Sequence, residues 1–155
     1  IPLSEDKIRG MKYFANKLWN IARFVLTNVD SIDMNAPWKN LSPKTDADKD
    51  ITKKLKNAVA GVTNGLETLA IHEAAQALYS FAWHEFADVY IEASKSQFAD
   101  PALKENTQKI LGASLVTILK LGHPFMPFIT EKIWSLLPTK QKNLLLIEPW
   151  PNQKL

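Results

Sequence analysis

From Lys7 to Val29, apolar side chains recur at Ile8, Met11, Phe14, Leu18, Ile21 or Ala22, Val25 and Val29. That three-or-four spacing predicts a helix with one face turned to a core. The rows opposite carry Arg9, Lys12, Asn16, Asn20, Arg23 and Thr27, beside a stripe of Tyr13, Lys17, Asn20 and Phe24. Ser4 is placed as its N-cap, with Glu5 and Asp6 in the first turn, where the helix dipole favours anions. Gly10 costs about 1 kcal/mol relative to alanine inside a helix, and is expected to mark a close helix–helix approach.

Residues 31–45 hold two prolines and two asparagines without periodicity, which predicts a surface loop. Trp38 is expected to pin that loop to the bundle. A second helix is predicted from about Asp46 to Leu69, with Ile51, Leu55, Val59, Val62, Leu66 and Leu69 inward; Gly61 and Gly65, four apart, suit close packing. The third, from about His72 to Gln97, carries Ala75, Leu78, Tyr79, Ala82, Phe86, Val89, Tyr90 and Ala93. Asp100-Pro101 sets an N-cap and a first-turn proline for a fourth helix, ending at Leu121 with Gly122 as C-terminal cap and Pro124 beyond. Pro127 opens a short fifth helix that ends before Pro138. The final LLLIEPWPNQ reads as an extended strap laid on the bundle. The fold class is therefore all-α: a bundle of four longer helices plus a short fifth, with an extended C-terminal strap.

Length and composition fit that picture. At 155 residues, 46% hydrophobic and 23% charged, the chain suits one globular domain over 1–155 with a real core. No apolar run approaches the roughly 20 residues that span a bilayer, and no signal-peptide pattern opens the chain, so no membrane partner is expected. The absence of cysteine excludes disulfides, thiolate metal sites and a cysteine nucleophile, and suits a reducing compartment.

Charge sharpens the reading because it is uneven. Residues 7–29 carry five positive charges and no negative one, whereas 71–99 carry Glu73, Glu85, Asp88 and Glu92 against Lys95 alone. A looser basic surplus follows residue 100. An acidic third helix packed beside a basic first one accounts for part of this. The rest is a cationic, amide-bearing and aromatic helix face, the residue mixture that binds phosphates and stacks on unpaired bases.

Catalytic patterns are missing. A di-metal bundle needs Glu-x-x-His motifs converging from two helices, yet His72-Glu73 and His84-Glu85 share one helix about a third of a turn apart. The sequence contains no H-E-x-x-H, no phosphate-cradling glycine loop and no dinucleotide fingerprint. Glu85, Asp88 and Glu92 read as an ion-pairing face. His123 is expected to bond a free carbonyl between two helix ends. Phe125, Met126 and Phe128 read as core, Trp134 as the inner face of the short helix, and Trp19 as buried. For Phe24, burial and base stacking both stand.

Four ordered blocks carry a resemblance: FANKLWNIARFVL (14–26), ALYSFAWHEFADVYIEASK (77–95), LGHPFMPFITEKIWSLLP (121–138) and IEPWP (147–151). Together they resemble the anticodon-binding domain of class I aminoacyl-tRNA synthetases, most of all the valyl type; isoleucyl and leucyl enzymes share weaker versions. The resemblance implies a bundle that grips the anticodon stem-loop of tRNA, with Asn16, Lys17, Asn20, Arg23 and Phe24 meeting splayed bases and Lys12 on the same cationic surface. It implies no catalytic residue, metal or cofactor in this chain. The H-I-G-H and K-M-S-K-S signatures are absent, so ATP and Mg2+ would belong to a catalytic domain of a larger cytoplasmic parent, to which this domain would be joined. His84 stands where the family commonly has asparagine, and Val89 where it has tryptophan. The competing reading is a structural or protein-interaction bundle whose Lys17 and Arg23 are buried against the acidic row.

Overall fold

The computed structural model describes residues 5–34, 41–139 and 143–151, with side chains from residue 9 onward. Ser4 as a cap, the Ile8 side chain and Trp38 lie outside the described residues. The order is α1 (Glu5–Asn28), α2 (Asp46–Glu67), α3 (Ile71–Tyr79), a π-helical segment (Ser80–Tyr90), α4 (Ile91–Gln97), α5 (Pro101–Gly122) and α6 (Pro127–Ser135), then a 3-10 turn at Leu145–Ile147. Because α3, the π segment and α4 run on without a break, the described residues form four long helical rods and a short fifth, with no strand. The all-α expectation holds.

At the centre stands α5, buried at every position from Ile110 to Gly122. A helix apolar on all sides needs neighbours on all sides, and α1, α2, α3, α4 and α6 all pack against it. The buried side chains form one cluster from Phe14 on α1 to Leu145 in the strap. As expected, Asp100 accepts a hydrogen bond from the Ala102 N–H at 2.9 Å, with Pro101 in the first turn.

The tightest joint is the α2–α3 hairpin. A Cβ on Gly65 would lie 2.7 Å from the Ala74 Cβ, and one on Gly61 would lie 3.3 Å from that of Ala77. The glycine pair read from the sequence thus lets the two helices meet nearly backbone to backbone. The turn between them puts Leu69 at φ 61° and leaves it exposed rather than in the core. A left-handed leucine costs about 1–2 kcal/mol, a cost met by the packing on either side.

Several expectations need correction. Gly122 continues α5 in ordinary helical geometry and does not cap it; His123 ends the helix, and the missing side chain lets Thr130 and Leu78 close in at 3.4 and 3.6 Å. Gly10 has nothing within 4 Å of its would-be Cβ, and Met11 is exposed, because the first turns of α1 face an open cleft. Val89 is also exposed. An i-to-i+5 winding rotates residues relative to an α period; it stacks Phe81 on Phe86 with centroids 6.3 Å apart and turns Val89 outward. Phe128 is 90% exposed, on the outer side of α6, although Phe125 and Met126 pack partly against the core. His123 Nδ1 meets the Thr130 hydroxyl at 3.0 Å, not a carbonyl.

The strap is tied at both ends. Glu131 accepts hydrogen bonds from the Leu145 and Leu146 N–H groups at 2.8 and 3.3 Å, and Trp134 Nε1 donates to the Asn143 carbonyl at 2.9 Å. Trp150 Nε1 reaches the Thr63 hydroxyl on α2, also at 2.9 Å. The chain is extended at Leu144 and Glu148, on either side of the 3-10 turn.

Candidate nucleic-acid interface

The outward face of α1 is as the periodicity predicts. Arg9, Lys12, Asn16, Asn20, Arg23 and Thr27 are exposed, opposite buried Phe14, Leu18, Ile21, Ala22 and Val25. The last turn ends without glycine: the Thr27 hydroxyl and Asn28 amide donate back to the Arg23 and Phe24 carbonyls, both at 2.7 Å. From α5, Gln108 Nε2 then closes the Asn28 carbonyl at 2.9 Å. Of these, the Gln108 bond satisfies a carbonyl the helix leaves free at its end, while the Thr27 and Asn28 side chains bond carbonyls one turn back.

Two flanks border this face, and they differ. On the α3–α4 side, Lys17 is 27% exposed, with Nζ 3.2 Å from Asp88 Oδ1 and 5.1 Å above the Trp83 ring. His84 Nδ1 lies 3.4 Å from the other Asp88 oxygen. Next along, Lys54 meets Glu85 at 2.7 Å, Lys95 meets Glu92 at 2.7 Å, and the Lys95 ammonium sits 5.9 Å from the Phe24 ring. The acidic row is thus the ion-pairing face expected of it. Phe24 is half-buried against the core, as is Trp19. An aromatic ladder backs this flank, with Phe14, Tyr79 and Trp83 at centroid separations of 5.3 and 5.2 Å. Beside it a cleft of about 730 Å³ opens between α1, α3 and the α5–α6 corner, lined by Met11, Tyr13, Tyr79, Trp83, Phe125 and other side chains, none of them charged apart from His72 if protonated.

Away from that flank, among the described residues, the cations of α1 have no acidic partner. Arg9, Lys12 and Arg23 make no ion pair among the described residues. Arg23 helps line a small pocket of about 250 Å³ with Trp19, Leu26, Thr27, Ile133 and Leu136. Asn16, Asn20 and Arg23 therefore share an open surface, whereas Lys17 and Phe24 stand at its edge, already in contact with the α4 side. The later basic surplus contributes less to any surface than its count suggests, since Lys120 is buried in α5.

Sequence reasoning missed the polar centre behind the acidic flank. Asp48 is fully buried and accepts from five donors: Tyr90 Oη at 2.9 Å, Gln97 Nε2 at 3.0 Å, Asn106 Nδ2 at 3.1 Å, and the N–H groups of Lys44 and Thr45 at 3.1 and 3.3 Å. Burial alone would raise its pKa, but the bonds from Gln97, Lys44, Tyr90 and Thr45 outweigh it and hold the carboxyl below the ordinary value. Burial, with the Asp48 charge alongside, pushes the Tyr90 phenol up. The visible signal was T-x-x-D at Thr45–Asp48, which forms a capping box at the start of α2. Among the described residues, no group of three His, Asp or Glu side chains could hold a metal, and no helix is long and apolar enough to cross a membrane.

With this geometry in place, comparison with known proteins fixes the class. Residues 48–155 match the family described as the anticodon-binding domain of tRNA ligase, and the chain belongs to that family. Among its relatives are valine–tRNA ligases. That of Geobacter sulfurreducens is 40% identical over 140 residues, covering 89% of this chain. The Arabidopsis thaliana chloroplastic/mitochondrial valine–tRNA ligase 2 is 36% identical over 167 residues, covering 99%, so α1 is included although it precedes the family match. The chain spans only 16–17% of the length of these relatives. The fold also superposes on the LeuRS of Agrobacterium radiobacter K84, from a ternary complex with tRNA and LeuAMS, with TM-score 0.70 at 20% identity over 97% of this chain and 17% of that one.

Proposed function

We propose that this chain is the part of a valine–tRNA ligase that holds the anticodon stem-loop of tRNA(Val), the parent attaching valine to that tRNA with ATP and Mg2+ in the cytoplasm. ATP and magnesium would act in the parent's catalytic segment; no described residue of this chain is assigned to them. The observation that carries the reading is the exposed α1 face, with Arg9, Lys12, Asn16, Asn20 and Arg23 outward and no acid from residue 7 to 29. Amides and guanidinium supply hydrogen bonds to base edges and phosphates, and the Phe24 edge offers a stacking plane. Lys17 joins this surface by exchanging Asp88 for a phosphate. The uncharged cleft beside Met11 and Tyr13 is the surface we assign to the parent's catalytic domain.

Relatives at 36–40% identity support the valyl reading over a leucyl or isoleucyl one, for which the fold likeness at 20% identity carries no specificity. The exposure of Arg23 favours RNA over a purely structural bundle, in which it would be buried against the acidic row. The test is a salt-dependent titration of tRNA(Val) against the chain. Arg23→Ala is expected to weaken binding about tenfold and to lower the salt slope by about one. Unchanged affinity and slope would refute the assignment.

A further inference from the structure

We infer that His84 is a positioning residue for RNA binding, acting on Lys17 through Asp88. Once protonated it holds the Asp88 carboxylate, which frees Lys17 for an RNA phosphate and makes binding tighter as pH falls. The inference rests on the RNA-binding reading above and adds a regulation to it.

Asp88 stands between two nitrogens. Its Oδ1 lies 3.2 Å from Lys17 Nζ on α1, and its Oδ2 lies 3.4 Å from His84 Nδ1, one turn earlier in the π segment. The side chains of Asp88 and His84 are 50% and 59% exposed, and that of Lys17 is 27% exposed, so a proton and a phosphate can both reach the trio. The Tyr79 ring from α3 meets the imidazole edge to face at 5.9 Å, and the Trp83 ring centre lies 5.1 Å from the Lys17 ammonium. These rings keep both nitrogens beside the carboxylate. The other charges around His84 are already answered, Glu85 by Lys54 from α2 and Glu92 by Lys95 on α4. Among the described residues, Asp88 is therefore the acid that pairs with His84, and Lys17 is the cation that competes for it.

The sign follows from the charges. With His84 neutral the trio sums to zero, and moving Lys17 onto a phosphate strands the Asp88 carboxylate beside the RNA backbone. With His84 charged the trio carries one net positive charge, and Asp88 keeps a partner when Lys17 leaves. RNA therefore binds the protonated form more tightly, and by reciprocity bound RNA promotes proton uptake. Histidine is the side chain suited to make this change between pH 5 and 8. An exposed ion pair is weak enough to be exchanged by it, so the gain in affinity should be about threefold and should shrink as salt rises.

The experiment measures binding of the 155-residue chain to rhodamine-labelled tRNA(Val) by fluorescence anisotropy from pH 5.5 to 8, at fixed low ionic strength. Circular dichroism over the same range checks folding, which Asp48 does not disturb there because its carboxyl is held below the ordinary value. Wild type should bind about threefold tighter at the acid end. His84→Asn, polar but uncharged, should lose that gain; His72, His123 and the RNA bases are unchanged in it, so the difference belongs to His84. Asp88→Asn should lose it too, because the carboxylate that couples the two nitrogens is gone. So should Lys17→Ala, which has no cation to release. A pH dependence that survives in His84→Asn belongs to another group and overturns the inference. One that survives in Asp88→Asn shows His84 meeting the RNA directly, and one that survives in Lys17→Ala shows Asp88 repelling it; either result overturns the route through Lys17. A flat wild-type profile with binding intact refutes the inference while the RNA reading stands. Failure of the wild-type chain to bind tRNA at any pH would instead remove the reading beneath it.

Discussion

The two sides of α1 treat charge in opposite ways. Toward α4 each cation has found an acid within the chain: Lys17 with Asp88, Lys54 with Glu85, Lys95 with Glu92. Behind that row Asp48 is closed off by five donors. On the outward face of α1, Arg9, Lys12 and, beside α6, Arg23 stand exposed with no acid answering them among the described residues. A folded chain that satisfies its charges so fully on one side leaves the other side unmatched for a partner that brings its own negative charge. Paired charge therefore belongs to the fold and unpaired charge to the function, and the two can be separated experimentally.

The largest expected effect lies on the closed side. Asp48→Ala would orphan five donors, and each buried donor left unsatisfied costs about 1–3 kcal/mol; a loss of at least about 3 kcal/mol in unfolding free energy is expected by urea titration. Asp48→Asn, which keeps the shape and discards the charge, should cost less. Because the folded carboxyl sits below its ordinary value, its stabilisation is complete above an unfolded pKa of about 3.9 and is lost as pH falls through the folded one. The acid limb of the stability–pH curve should therefore flatten in Asp48→Asn. At neutral pH and low temperature, where the variant stays folded, its affinity for tRNA should match wild type. A drop in affinity without unfolding would break the separation of the two sides.

How much of this was legible beforehand follows the same division. Periodicity found all four long rods, because burial on one face leaves a three-or-four trace, and it placed Asn16, Asn20 and Arg23 outward. It failed where geometry departs from an ideal α-helix or where the partner is missing. The π winding moved Val89 outward, the left-handed turn exposed Leu69, and the open cleft exposed Met11. The small pocket was invisible because Leu136 and Arg23 lie 113 residues apart and meet only through the packing of α6 on α1. Asp48 was hidden for a related reason: Tyr90, Gln97 and Asn106 come to it from the π segment, α4 and α5, and only the Thr45–Asp48 cap is local.

The smallest effect tests the comparison most finely. If the Asp88 carboxylate already neutralises Lys17 at 3.2 Å, truncating that lysine should weaken tRNA binding only about two- to threefold, less than the loss at Arg23, since an exposed ion pair is worth roughly 0.2–1 kcal/mol and binding must first break it. Asp88→Asn should then do the opposite and tighten binding about twofold at low salt, because the lysine is released and a carboxylate beside the RNA is removed. The gain should vanish in the Lys17→Ala background, where no cation remains to release. A gain that persists there would mean that Asp88 repels the RNA directly and that the pairing is incidental. A Lys17→Ala loss as large as that of Arg23→Ala would mean that the RNA displaces Asp88 at no cost, and that the closed side is as open to RNA as the other.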